Sequence, residues 1–338
     1  MAILAALEGT GSVIYSNLLV KLPAPSSKAN LSEQVFVVTG GNGGLGYESC
    51  LHLSKLGVGK LIIGVRNKAK GEAARLKILA VTKQPESSIE VWTIDMDSYD
   101  SIKAFAARVS SDLPRVDGIL ANAGIMTSNL AWSEGSESSL NVNVISTFFL
   151  FFLLLPKMRE SGKKTGNPCR FTIPNSALHY MAPLGELQPG KGSILERLNN
   201  EKTANMGGRY PLTKLLVLYV VREIAKRAPS SGETGGFVIN TPNPSFCKSD
   251  LARENADSAG FKVFEKLMAR STEEGSRALL NGVLGGTETH GHYLNNCQVQ
   301  ASPACHVTDK FGQQVQTAFF EELVGKLESI QPGVTLTL

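Results

Sequence analysis

Residues 35–46, Val-Phe-Val-Val-Thr-Gly-Gly-Asn-Gly-Gly-Leu-Gly, constrain this chain more than any other stretch. The apolar run 35–38 reads as a strand buried in a parallel sheet. Residues 47–56 then read as a helix, with Cys50, Leu53 and Leu56 marking one face. Strand, glycine turn and helix together are the setting of a dinucleotide-binding turn. Glycines let the backbone approach a pyrophosphate, and the helix N-terminus adds unpaired N–H groups and positive potential. The spacing Gly40, Gly44, Gly46 departs from G-x-G-x-x-G. An ordinary glycine-rich turn is the competing reading, and the flanking strand and helix weigh against it.

A second strand is expected at 60–65. In NAD sites an acid about 20 residues beyond the glycines takes the ribose hydroxyls, whereas an arginine accommodates a 2′-phosphate. Arg66 stands 20 residues after Gly46, followed by Lys68 and Lys70, and no acid lies between Lys60 and Lys70. Basic residues at a helix start oppose its dipole. The charge swap therefore favours NADP(H) over NAD.

Downstream, Tyr210-Pro211-Leu212-Thr213-Lys214 places a phenol and an ammonium on one helix face. The cation should favour the phenolate and lower a pKa that is otherwise about 10. Between these motifs strand and helix signals alternate. Strands are expected at 89–94, 116–121, 170–173 and 237–241, with helices near 99–110, 138–157 and 210–227. Repeated βα units imply an α/β fold, one doubly wound parallel sheet with helices on both faces. Ligands in such sheets lie outside the carboxyl ends of the strands. There stand Asp95-Met96-Asp97, Asn122-Ala123-Gly124 and Asn175-Ser176.

Composition bounds the class. The chain has 338 residues, 42% hydrophobic and 19% charged, which suits a globular protein with a sizeable core. A net charge of +4 with scattered basic residues points away from nucleic acid. Five cysteines (Cys50, Cys169, Cys247, Cys297, Cys305) fit free thiols in a reducing, cytoplasmic setting. With His290, His292 and His306, the last two offer a conceivable zinc set, but paired C-x-x-C spacing is missing and no metal is expected. Residues 1–20 are patchily apolar without early Lys or Arg, which argues against a secretory signal. With the stretch to residue 30 they read as an extension and linker. The apolar run 142–155 ends at Pro156; 14 residues fall short of the ~20 needed to span a bilayer, so a helix buried nearly all round is expected.

With these motifs in sequence order, the chain resembles the short-chain dehydrogenase/reductase family from about residue 30 onward. The matches are Thr39-Gly40-x-x-x-Gly44-x-Gly46, Asp95-Met96, Asn122-Ala123-Gly124, Asn143, Ser176 and Tyr210-x-x-x-Lys214. Glu273-Glu274-Gly275-Ser276-Arg277 and Gly291-His292-Tyr293-Leu294 look like the retinol-dehydrogenase-like branch, and within it the chain looks closest to reductases of fungal secondary metabolism. The resemblance implies a single Rossmann-type domain over 31–338 that moves a hydride between a nicotinamide and a carbonyl or alcohol. It implies Tyr210 as acid/base, Lys214 as the residue that lowers the tyrosine pKa and binds the nicotinamide ribose, Ser176 as the carbonyl-polarising hydroxyl, and Asn143 as the amide holding a water in the proton relay. Cofactor contacts are implied for Gly40, Asn42, Gly44, Leu45, Gly46, Arg66, Asp95, Met96, Asn122, Ala123, Gly124, Tyr210, Lys214, Pro244 and Ser249. Relatives often pair through the helices that are here 138–157 and 211–227.

The chain departs from the family pattern in places. Asn175-Ser176 replaces a Ser-Ser pair. Pro174 belongs at a strand end, because proline cannot donate to a ladder. Ser245 after Pro244 replaces a glycine that passes close to the nicotinamide, where a hydroxyl could crowd or bind the carboxamide. Ser176 and Tyr210 stand 34 residues apart, so 181–208 must loop out, and with 249–270 it is expected to wall the substrate pocket. His179 reads as a structural hydrogen bonder rather than a catalyst, and the phenylalanines at 148–152 as helix core rather than a ligand box. Three functional readings follow: NADPH-dependent reduction of a ketone or aldehyde on a bulky apolar molecule such as a polyketide or terpenoid; NADP-linked alcohol oxidation; and a non-redox dehydratase, cyclase or binding role.

Overall fold

The computed structural model describes residues 2–26, 30–229, 235–248, 251, 259–301 and 303–338. Helix α1 (Ala2–Leu19) precedes an alternation of β1 (Val35–Thr39), α2 (Gly44–Lys55), β2 (Lys60–Val65), α3 (Lys68–Thr82), β3 (Ile89–Thr93), α4 (Tyr99–Asp112) and β4 (Gly118–Leu120). A short antiparallel ribbon of β5 (Trp132–Ser133) and β6 (Ser136–Glu137) leads to α5 (Ser138–Leu140), a π-turn at Asn141–Ile145 and α6 (Ser146–Thr165). Then come β7 (Cys169–Thr172), α7 (Ile194–Leu198), α8 (Met206–Arg227), β8 (Phe237–Asn243), α9 (Ala259–Met268) and α10 (Thr272–Val283). The chain closes with β9 (Tyr293–Asn295), β10 (Gln298–Val299), α11 (Cys305–Thr308) and α12 (Lys310–Ile330).

The main sheet has the order β10-β9-β8-β7-β4-β1-β2-β3, parallel except for the β9–β10 pair. Its central strands are buried on both faces, and the period of two sorts their side chains. Val35, Val37, Ile62 and Ile119 join one apolar cluster, while Phe36, Val38, Leu61, Ile63 and Leu120 join another on the opposite face. This is the doubly wound α/β architecture expected. Strand order reverses between β1 and β4, the place where such sheets open a crevice for ligands.

The apolar run at 142–155 belongs to a longer continuous helical stretch, Ser138–Thr165, whose most apolar window is 94% buried inside this one chain. The helix runs through Pro156 instead of stopping there. Proline removes a helical hydrogen bond. Fully buried Phe148, Phe149, Phe151 and Phe152 offset that, each burial stabilising by about 1.5–3 kcal/mol. Phe151 alone packs edge-on against Phe152, Phe171 and Phe237 at 5.1, 5.1 and 5.5 Å.

Two segments carry more structure than their sequences suggest. Residues 2–19, read as extension, form a helix; Gly9 lies so close to Tyr180 that a Cβ there would meet the tyrosine Cβ at 2.6 Å. The insertion at 181–208 contains α7, whose N-terminus is held by Glu322 of α12 through Ser193, Ile194 and Leu195. Fully buried Arg209 pins it from below, bonding Leu198 O and Glu186 and lying 3.4 Å from buried Glu137.

Candidate active site

The glycine turn sits at the carboxyl end of β1. Gly40 has φ +69°, and a Cβ there would lie 3.1 Å from Asn122 Nδ2 and 3.2 Å from Ala123 Cα. Gly46 tolerates no side chain at all, since its Cβ would fall 2.4 Å from Gly40 O. Helix α2 starts without a side-chain cap on Gly43 and without an acid in its first turn, which leaves its N-terminal field for an anion. A Cβ on Gly43 would have no atom within 4 Å, so the turn opens outward beside Asn42, Gly44 and Leu45.

Asn122 and Ala123 brace the turn from β4. Asn122 Nδ2 donates to Thr39 O at 3.1 Å, and Ala123 N donates to Thr39 Oγ1 at 3.0 Å. Gly124 lies against Asn143, whose Oδ1 a Cβ would meet at 3.1 Å. Asp95 and buried Met96 follow β3, with Asp95 N donating to Ser101 Oγ. Arg66 follows β2, its side chain 72% exposed, with Nη1 4.0 Å from Asp97 Oδ2.

The reactive groups converge from three elements. Lys214 on α8 is buried; its Nζ donates to Pro174 O at 2.7 Å and lies 5.4 Å from the Tyr210 ring centre. Pro174 does lie past the end of β7, and its carbonyl is what it contributes. Asn175 is a staple that the sequence leaves unassigned. Its Nδ2 donates to Lys214 O and Thr241 Oγ1, and its Oδ1 accepts from Ser176 N at 2.7 Å. A shorter serine in the family's usual pair could not span those contacts. The staple sets Ser176 against α8, and Ser176 Oγ accepts from Leu178 N at 3.1 Å, leaving its proton to donate elsewhere.

Burial and bonding bear on two of the expected roles. The Tyr210 pKa does not fall toward neutrality; burial raises it above its ordinary value, and the nearby Cys247 thiol adds to the rise. Lys214 feels the same low dielectric, which lowers its own pKa to about 8. Asn143 sits in the π-turn Asn141–Ile145, a helical irregularity common at functional sites. Its amide, however, is committed to protein: Oδ1 accepts from Ile125 N, and Nδ2 donates to Ile125 O and to Thr213 Oγ1. Thr213 in turn donates to Tyr210 O at 2.8 Å, so the Asn143 side chain braces the tyrosine's turn.

Pro244 O accepts from Cys247 Sγ at 3.3 Å, and Cys247 lies near both Tyr210 and Leu45, since it raises the Tyr210 pKa and a Cβ on Gly275 would touch both its Sγ and Leu45 Cδ2. Burial pushes the Cys247 thiol up to about 12, so it is no nucleophile. Ser245 takes φ +64° and donates its hydroxyl proton to Asn17 Oδ1 of α1, which spends the group that could have reached a carboxamide. Ser249 lies outside the described residues. His179 is wholly buried, its pKa lowered to about 3 by desolvation, with Nδ1 2.8 Å from Ser176 O and its ring against Tyr180 and Tyr293. It is structural, as expected. His290 and His306 are engaged with backbone at Ile239, Ala228 and His179, and the described residues contain no group of three or more metal-ligating side chains.

Comparison with known proteins places this geometry. A profile of the short chain dehydrogenase family matches residues 34–167. A short chain dehydrogenase/reductase of the fungus Cryptosporiopsis, dmxR8, is 40% identical over 324 residues, covering 95% of this chain and 98% of its own. The chain belongs to the short-chain dehydrogenase/reductase family. A second fungal short-chain dehydrogenase, anuD of Penicillium roqueforti, is 34% identical over 97% of this chain and 85% of its own. Among solved structures, a short chain dehydrogenase from Escherichia coli, complexed with NADPH, superposes with a TM-score of 0.59 at 18% identity over 80% of this chain and 99% of that one. For a short-chain dehydrogenase/reductase, motif reading includes Thr39 but gives no positioning role to Asn175 or Thr213, and only the unusual Asn-Ser pair hinted at one of them.

Proposed function

We propose that the protein reduces a ketone or aldehyde on a bulky, largely apolar small molecule with NADPH as hydride donor. The observation that carries this reading is the fastening of Pro174 and Asn175 onto the Tyr210–Lys214 turn, which ties the segment bearing the Ser176 hydroxyl to the turn bearing Tyr210 and a buried cation. The cradle suits the cofactor: an uncapped helix N-terminus, a Gly46 that leaves no room for a Cβ, and an exposed Arg66 where a 2′-phosphate would lie. An NADPH complex of the structurally similar E. coli protein supports the same choice.

When bound, NADPH would supply a hydride to the carbonyl carbon. The chain's own groups handle the oxygen. Ser176 donates its free proton to the carbonyl and polarises it. Tyr210, kept protonated by its raised pKa, donates the proton that the developing alkoxide requires. Two fixed O–H donors stabilise that charge where it forms. Lys214, as ammonium, compensates the phenolate left behind. Alcohol oxidation runs the same steps in reverse. On this reading the insertion 181–208 walls the substrate side, and the free thiols suit a reducing, cytoplasmic setting.

Two tests follow. Arg66→Asp should weaken NADPH about ten- to hundredfold and spare NADH, since a charge-assisted contact is worth about 1.5–3 kcal/mol. Titrating both cofactors into both proteins checks it, and equal affinities in the parent protein refute the NADPH preference. The pH profile of reductive kcat/KM should descend as pH rises through about 8, the value to which burial lowers Lys214. The sign is simple: below it the ammonium is present, above it the compensating charge is gone. Lys214→Arg, which stays protonated, should move that limb upward. A profile flat through this region would leave Lys214 without a part in proton transfer.

A further inference from the structure

The N-terminal helix makes a set of contacts that simple packing does not require. Asn17 of α1 accepts from Ser245 Oγ, and its Nδ2 donates to Phe246 O at 2.7 Å and Met268 O at 2.6 Å. One side chain thereby gathers two consecutive residues of the 244–247 loop and the end of α9. Buried Arg270 repeats the pattern in the other direction. It donates to Ser16 O and Val20 O of the N-terminal segment, to Pro244 O at 3.4 Å, and to Asn296 Oδ1. Asn296 Nδ2 closes the ring on Ser16 Oγ at 3.0 Å. Helix α1 and the loop are therefore one hydrogen-bonded unit.

The loop is also under backbone strain. Ser245 holds φ +64°, a left-handed conformation that is costly for a residue with a Cβ and almost free for glycine. Its amide donates to Asn243 Oδ1 at 2.9 Å and its hydroxyl to Asn17, so both polar groups are held in that conformation. Strain of this kind persists where the surroundings over-determine it. Two residues on, Cys247 lies near both Tyr210 and Leu45 of the glycine turn.

We propose that Asn17 is a positioning residue, through which the N-terminal helix clamps the 244–247 loop and sets its fit to the nicotinamide end of the cofactor. The inference rests on the NADPH reading above and adds to it a second, remote element that the sequence treats as an extension. Serine at 245 is then no loss of the family's glycine. It is a glycine-like conformation held by a partner that glycine would not need.

The experiment is a double-mutant cycle in the full chain, read by NADPH titration and thermal unfolding. Asn17→Ala should bind NADPH about tenfold more weakly, because the freed Ser245 leaves its left-handed conformation and the loop shifts. Ser245→Gly alone should bind near the parent level, and added to Asn17→Ala it should recover most of the loss, since glycine takes φ +64° without a partner. A merely structural Asn17 would lower the melting temperature without this selective rescue. Parental NADPH affinity in Asn17→Ala, or an equal loss in the single and double variants, overturns the proposal. Should Asn17→Ala not fold, Gly9→Leu drives a side chain into Tyr180 and undocks α1 from a site remote from the loop. It should weaken NADPH to the same degree; parental affinity with α1 open to protease overturns the proposal as well. Failure of the parent protein to bind NADPH would instead strike the cofactor reading itself.

Discussion

Tyr210→Phe is expected to lower turnover by about 10²–10⁴-fold, the range over which general acid–base groups contribute, with NADPH affinity nearly unchanged. The ring and its packing remain, and only the proton donor goes. No hydrogen bond from the Tyr210 hydroxyl to another described group would be broken, so stability should hold too. Single-turnover kinetics beside a cofactor titration separate these quantities. A variant that kept its rate would require another proton source, and His179 is poorly suited to that role, being buried and engaged with Ser176 O.

Lys214→Met should behave differently on all three measures. Turnover should fall at least as far, because the phenolate loses its compensating charge, and NADPH should weaken by about tenfold or more with the loss of a charged contact. Stability should rise or stay level. Burying an ammonium is costly, as its lowered pKa attests, and a methionine of similar length removes that cost while filling the space. Its hydrogen bond to Pro174 O and its approach to the Tyr210 ring are the polar contacts forfeited among those of the described residues. Damaged chemistry with an undiminished melting temperature would identify Lys214 as a group kept for function. A variant that melted far lower would make it structural.

Much of this site was legible before any coordinates, and the reason is physical. Glycine at 40 and 46 is dictated by a turn that a Cβ would block. Tyr210 and Lys214 share a face because a helix has one period. Strand positions were readable because a sheet buried on both faces needs unbroken apolar runs, as at 35–38 and 60–65. What could not be read depends on long-range closure. Nothing local to Asn175 says that its amide will bridge Lys214 and Thr241, 39 and 66 residues away. Likewise Asn17 meets Ser245 across 228 residues. The direction of the Tyr210 pKa escaped for a related reason: a helix spacing reveals the neighbouring cation but not the burial that outweighs it.

The central claim is that Tyr210, Ser176 and Lys214 serve hydride transfer from NADPH to a carbonyl. Its most direct test is nicotinamide absorbance after the parent protein and Tyr210→Phe are each mixed with NADPH and a panel of bulky apolar ketones and aldehydes. The account predicts NADPH consumption by the parent protein on at least one of them, with the corresponding alcohol as product, and little or none by the variant. Consumption that proceeds equally in both would contradict it. So would turnover of the panel, by elimination of water or ring closure, with NADPH unspent.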